Sequence, residues 1–310
     1  MNMAESISIL AGGLRGELRR DEPMRKHTTW RVGGTADRAY FPADLEDLRA
    51  FLAGLPAGEP VYAVGLGSNV LVRDRGIRGT VVFMHHGLKV LRLDEGRRGR
   101  ALVYAEAGVA SPKVARFAAN HGFEGAEFLA GIPGTVGGAL AMNAGCHGSE
   151  TWEVVERVLT LDHGGRLRIR RPGDYEVGYR HCQRKSNGHP EWFGAAWFSL
   201  QPGDGEASRV RIKELLTRRI ASQPLDRPNA GSVFRNPPDG HAARLIESCG
   251  LKGFAIGGAQ VSTKHANFIV NAGAATAADI EQLILHVQGT VEERTGIALV
   301  REILIVGEPG

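Results

Sequence analysis

Residues Gly65–Asp74 read GLGSNVLVRD and follow directly on the apolar run PVYAV. Glycines at 65 and 67 before a small polar pair have the look of a phosphate-binding loop, yet neither common template is met. A dinucleotide fingerprint, G-x-G-x-x-G, opens a helix and needs a third glycine where Val70 stands, and VLVRD is β-branched enough to continue as a strand. A Walker loop needs Gly-Lys-Ser/Thr, which is absent. What remains is a tight turn between two strands. Its backbone N–H groups, with the side chains of Ser68 and Asn69, can form an anion-binding nest. Taken alone, the pentapeptide fits a plain β-turn as well.

Two further stretches bear on that choice. Phe128–Gly148, FLAGIPGTVGGALAMNAGCHG, holds six glycines and little polar matter. Each glycine inside a regular element costs about 0.5–1 kcal/mol relative to alanine, so such a cluster argues against an ordinary helix and for close approach of backbone to a large ligand, a flat ring or a pyrophosphate. Tight turns alone are the competing explanation. Thr28–Pro42, TTWRVGGTADRAYFP, is a polar and aromatic loop that ends in Gly33-Gly34 and leads into the strand RAYF.

The surrounding pattern is that of an α+β chain. DLEDLRAFLAGL has Leu45, Leu48 and Leu52 at helical spacing; GTVVFMH, LKVLRLD and ALVYAEAGV read as strands. Ser111-Pro112 predicts an N-cap and first turn for KVARFAANHG, and VVERVLTLD, HGG and RLRIRR predict a hairpin. Beyond Gly205 the texture turns helical, which sets a domain boundary near Pro202. The clearest helix has Thr276 and Asp279 in capping-box spacing, Ile280, Leu283, Ile284, Val287 and Val291 on one face, and Gly296 as its stop; IALVREILIVG then returns as a strand.

The 310 residues suffice for about two domains. The net charge of +4 is spread out apart from Glu95–Arg100, EGRRGR, which is expected to cap a solvated turn, and no aromatic-interleaved basic stripe points to nucleic acid. Cys146, Cys182 and Cys249 are odd in number and lack C-x-x-C spacing, which suits a reducing compartment. The N-terminal stretch lacks the apolar core of a signal peptide and no window approaches the roughly 18 apolar residues of a membrane span, so a cytoplasmic protein is expected, acting as a monomer. The histidines, His85, His86 and His163 among them, have no metal-ligand spacing, and no catalytic metal is expected.

In order, TTWRVGG, VGLGSNVLV, GIPGTVGGALAMNAG, YR, GSVFRNP and VREI resemble the UDP-N-acetylenolpyruvylglucosamine reductase family. The resemblance runs from Thr28 to Ile305. It implies an FAD-binding region of the para-cresol methylhydroxylase and vanillyl-alcohol oxidase type in two subdomains, residues 1–202, and a substrate-binding domain, residues 203–310. It also implies non-covalent FAD, NADPH as co-substrate, and a UDP-sugar enolpyruvyl ether as the compound reduced, toward UDP-N-acetylmuramate for peptidoglycan. The residues it points to for the cofactor are Thr29, Arg31, Gly33, Gly65, Gly67, Ser68, Asn69, Gly131, Ile132, Pro133, Gly134, Gly137, Gly138, Asn143 and Gly145.

An enol ether is electron-rich and accepts hydride only where the charge that develops on its carboxylate is held by a cation and a proton is delivered to carbon. The resemblance assigns these tasks to Arg180 in VGYRHC, Ser232 in NAGSVFRNP and Glu302 in LVREILIVG, with Asn236 and His147 contacting substrate. Cys182 stands where the family often has serine, and His147 where one branch has tyrosine. The segment QRKSNGHPEWFGAAWFSLQ is short, as in the branch without an extra substrate-capping loop. Two rival readings are a flavin oxidase of the same cofactor fold, acting on a sugar lactone or hydroxy acid, and a nucleic-acid-binding protein argued from the basic pI of about 9.1.

Overall fold

The computed structural model describes residues 13–96, 101–186, 190–238 and 240–309. Most of the basic run at 95–100, and part of the short segment after Cys182, lie outside the described residues. The chain divides into two compact units: residues 1–19, 38–65 and 79–216, and residues 20–37, 66–78 and 217–310. Compactness therefore does not cut the chain once near Pro202. The physical reason is long-range pairing: Leu304–Val306 runs parallel to Val70–Val72, with Leu304 opposite Val70, which counts the residues after the 65–69 turn with the C-terminal part.

The first unit is built on a five-stranded antiparallel sheet in the order Leu167–Arg170, Val155–Asp162, Glu191–Phe198, Ala101–Glu106, Leu91–Glu95. The expected hairpin over 155–170 is its edge. Against this sheet pack the helix Ser111–Asn120, which buries Val114, Ala115, Ala118 and Ala119, and the segment that holds the glycine cluster. Ser111 is the first helical residue and Ala110 occupies the N-cap position without a side-chain cap, so the expected serine cap is one residue out of place.

A helix also forms where the glycines argued against one. Val136–Ala141 is helical through Gly137 and Gly138. It is six residues long, its first amides are held from outside by Val136 N–H to Val109 O (2.8 Å) and Gly137 N–H to Ala107 O (2.9 Å), and a Cβ at Gly137 would lie 3.0 Å from that of Ala107. Tertiary packing thus overrides the glycine penalty.

In the second unit the helix Ala277–Thr295 buries Ile280, Leu283, Ile284, Val287 and Val291, as the period predicts. Thr276 and Asp279 form the capping box and Gly296 ends the helix at φ +73°. The helix covers the strands Ala259–Val261 and Ile269–Asn271. Trp30, fully buried, donates from Nε1 to Ile269 O at 2.8 Å and anchors the TTWRVGG loop in this core. The expected C-terminal strand is reduced to Leu304–Val306.

Candidate active site

In the second unit, residues 66–69 of the turn and the loop at 28–33 are one construction. Thr29 donates to Gly67 O from its N–H (3.1 Å) and its hydroxyl (3.3 Å). Gly67 has φ +62°, and a Cβ there would collide with the His27 carbonyl oxygen, so only glycine fits. Gly33, at φ +119°, is pressed to within 2.9 Å of Val72 by the same measure. Among the described residues, the amides of Leu66, Gly67, Ser68 and Asn69 meet no protein acceptor. Four successive amide donors at the tip of a turn suit a pyrophosphate, which needs many aligned N–H groups, so these residues fit the diphosphate of FAD.

Asn69 has a second task. Its Nδ2 donates to Glu302 O (3.2 Å) and its carbonyl accepts from Leu304 N–H (3.0 Å), so the turn grips the backbone on both sides of Ile303. Glu302 N–H in turn donates to Val233 O at 2.8 Å, and Phe234 forms an antiparallel bridge with Arg301. The segments that carry Ser232 and Glu302 are thereby paired from distant parts of the chain. Asn267, 4% exposed, clamps the next residue with both ends of its amide, accepting from Phe234 N–H (2.9 Å) and donating to Phe234 O (2.8 Å), while its carbonyl accepts from Val233 N–H. Asn236 is exposed and accepts from Ala242 N–H at 3.1 Å, at the start of the helix Ala242–Ser248.

The first unit carries the other candidates. Ile132 is buried, whereas Pro133 and Gly138 are exposed, and nothing lies nearer than 3.9 Å to a Cβ on Gly138, so one edge of the glycine segment is open. Gly65 and Gly131 are glycine for packing: a Cβ would strike Thr135 Oγ1 in one case and Cys146 Sγ in the other. Arg180 is the second residue of the two-residue turn between Tyr175–Gly178 and His181–Arg184, at φ +53°, a position that ordinarily asks for glycine. Its Nη2 donates to Gly145 O at 3.2 Å. His147, exposed, sits at φ +56° in the turn between Gly145–Cys146 and Ser149–Glu150.

Six non-glycine residues have positive φ among the described residues, and four of them, Arg31, Asn143, His147 and Arg180, are sequence candidates. Strain of about 1–3 kcal/mol each persists where surrounding structure imposes it, and it gathers at functional sites. The side chain of Asn143 is taken up by protein, and Gly145 contributes its carbonyl to Arg180. Cys182 packs against the first unit's core, and burial pushes its thiol up to about 12. It is therefore a neutral filler at physiological pH. The sequence reading missed Asn267 and Glu150, because neither lies in a periodic or spaced pattern.

Two family models match: one described as an FAD binding domain over residues 36–169, and the C-terminal domain of UDP-N-acetylenolpyruvoylglucosamine reductase over residues 223–306. UDP-N-acetylenolpyruvoylglucosamine reductases from Nitrosospira multiformis and Thiobacillus denitrificans are 58% and 59% identical, over 100% and 96% of this chain and 94% and 96% of their own. The chain belongs to the UDP-N-acetylenolpyruvoylglucosamine reductase family. The crystal structure of the reductase from Thermus caldophilus superposes with a TM-score of 0.76 at 31% identity, covering 95% of this chain and 100% of that one. The fold is accordingly α+β, an FAD-binding domain followed by the reductase C-terminal domain, and the chain is an FAD-dependent oxidoreductase of peptidoglycan precursor synthesis with NADPH as reductant. No helix among the described residues is long and apolar enough to cross a membrane.

Proposed function

We propose that this reductase converts UDP-N-acetyl-3-O-(1-carboxyvinyl)-glucosamine to UDP-N-acetylmuramate with Arg180, Ser232 and Glu302 as its catalytic residues. When bound, FAD would supply the redox chemistry, carrying hydride from NADPH to the substrate, and the amides of residues 66–69 would hold its diphosphate. Within the first unit, the open edge of the glycine segment at Pro133, Gly134 and Gly138 would offer backbone that a cofactor can approach closely.

Addition of hydride to the methylene carbon drives negative charge onto the adjacent carbon and its carboxylate. The planar fork of Arg180 holds that carboxylate in two places, and its charge opposes the one that develops. Preorganised donors of this kind lower the barrier by about 2.7–4 kcal/mol in acyl-transfer sites.

The enolate must then be protonated on the carbon that bears the carboxylate. Ser232 delivers that proton from Oγ, and Glu302, hydrogen-bonded through its backbone to the residue after Ser232, governs the charge around it. Asn236 and His147 contact the substrate. What supports this reading most is the Glu302 N–H to Val233 O bond, which makes neighbours of two motifs far apart in sequence. The enzyme works in the cytoplasm as a monomer, where the nucleotide sugar and NADPH are available.

The test is anaerobic turnover of purified protein with NADPH and the enolpyruvyl substrate, followed by mass spectrometry of the product. Formation of UDP-N-acetylmuramate is expected. Consumption of dioxygen with a sugar lactone or hydroxy acid, and no muramate, would establish the oxidase reading instead.

A further inference from the structure

Asn143 belongs by sequence to the glycine-rich cofactor segment, yet the residue is 1% exposed and its side-chain amide is committed within the protein. Nδ2 donates to Glu150 Oε2 (2.6 Å) and to Gly178 O (3.0 Å), and Oδ1 accepts from Trp152 N–H (3.1 Å). Both amide protons and one acceptor site are therefore committed, and little remains for a ligand. Gly178 closes the hairpin pair with His181 immediately before the turn that carries Arg180. Arg180 Nη2 reaches back to Gly145 O, two residues beyond Asn143. The segment 143–150 thus holds the hairpin at two points, one on each side of Tyr179.

Such a brace explains how a turn can keep arginine at φ +53°, where the backbone by itself would relax. Asn143 is itself at φ +42°, a conformation asparagine tolerates better than most residues. Glu150 completes the brace: its carboxylate fixes which way the amide faces, so that Nδ2 points at Gly178 O and Oδ1 at Trp152 N–H.

We propose that Asn143, oriented by Glu150, is a positioning residue for Arg180 and not a ligand of the cofactor. The inference rests on the assignment of Arg180 to the substrate carboxylate. A misplacement of about 1 Å in a catalytic group can cost on the order of a hundredfold in rate, so loss of the brace should be visible in the substrate half-reaction alone.

The variant Asn143→Gly keeps the positive φ without strain and removes only the side chain; Asn143→Asp, made together with Glu150→Gln so that no second carboxylate faces the first, keeps the shape and the acceptor for Trp152 N–H and removes the donor to Gly178 O. Each is made alone and with Arg180→Ala, and three quantities are read: flavin content from the visible absorption of the purified protein, the rate of flavin reduction by NADPH, and the rate of reoxidation by the enolpyruvyl substrate. Expected are full flavin content, reduction within about twofold of wild type, reoxidation slowed by about tenfold to a hundredfold, and double variants no slower than Arg180→Ala, because the brace acts through that residue. Loss of flavin or of the NADPH step makes Asn143 a cofactor residue and overturns the proposal, as do additive losses with Arg180→Ala. If Arg180→Ala alone reoxidises like wild type, the catalytic assignment of Arg180 fails and the proposal falls with it. If Arg180→Ala is slow while both Asn143 variants are normal, only the proposal falls. Should Asn143→Gly not fold, Asn143→Asp with Glu150→Gln carries the same comparison.

Discussion

Replacing Gly67 by alanine tests the cofactor loop where its geometry is least forgiving. The residue sits at φ +62°, in the left-handed region that costs an L-residue about 1–2 kcal/mol. The new Cβ would collide with the His27 carbonyl oxygen and lie 2.9 Å from Thr28 Cα. Relief requires the two loops to part, and they are joined by the Thr29 N–H and hydroxyl bonds to Gly67 O, worth on the order of 1 kcal/mol together once one of them is lost. The sum is about 2–3 kcal/mol, nearly all of it set against the conformation that presents the amides of residues 66–69. At about 1.4 kcal/mol per factor of ten, FAD should bind some 30- to 100-fold more weakly. Flavin-free protein titrated with FAD, followed by quenching of flavin fluorescence, reads that change. Gly125→Ala is the control: its φ of +94° imposes similar strain, but no atom lies within 4 Å of the added Cβ, and FAD affinity should stay at the wild-type value. A folded Gly67→Ala protein that binds FAD within about twofold of wild type would refute the argument that this turn holds the diphosphate.

Other expectations follow from single residues. Arg180→Lys keeps the charge and loses the fork, so reoxidation by substrate should fall by about a hundredfold while reduction by NADPH does not change. Asn267→Ala leaves Phe234 N–H and C=O buried without partners at about 1–3 kcal/mol each, and urea denaturation should register a loss of about 2–6 kcal/mol. Cys182→Ser should leave turnover near wild type. The native thiol, raised to about 12 by burial, is protonated throughout the neutral range and should resist alkylation there; rapid alkylation at pH 7 would contradict its placement.

Local chemistry was legible in the sequence, and long-range pairing was not. The capping box at Thr276 and Asp279, the stop at Gly296 and the turn at 65–69 each rest on a few adjacent residues, and all three are present. The glycines of 128–148 were ambiguous because glycine marks any close approach. Gly65, Gly131 and Gly137 yield to protein neighbours, while Gly138 faces open space, and only coordinates separate the two cases. The serine, arginine and glutamate of the candidate site were found through the motifs that carry them. What positions them was hidden: Asn69 grips the Glu302 backbone, Asn267 clamps Phe234 and Asn143 braces the Arg180 hairpin, all across separations that no periodicity records. A polar side chain bonded to a distant backbone leaves no trace in composition or spacing.

The two half-reactions make different demands on one hydroxyl, and Ser232→Ala separates them in one stopped-flow experiment. Hydride transfer from NADPH asks for no proton from this hydroxyl, so bleaching of the flavin band should proceed at close to the wild-type rate. Reoxidation by the enolpyruvyl substrate requires protonation on carbon, and a positioned general acid is worth about a hundred- to ten-thousand-fold, so recovery of the band should slow by at least about a hundredfold. Equal slowing of both phases, or recovery at the wild-type rate, would contradict the assignment of Ser232 as proton donor.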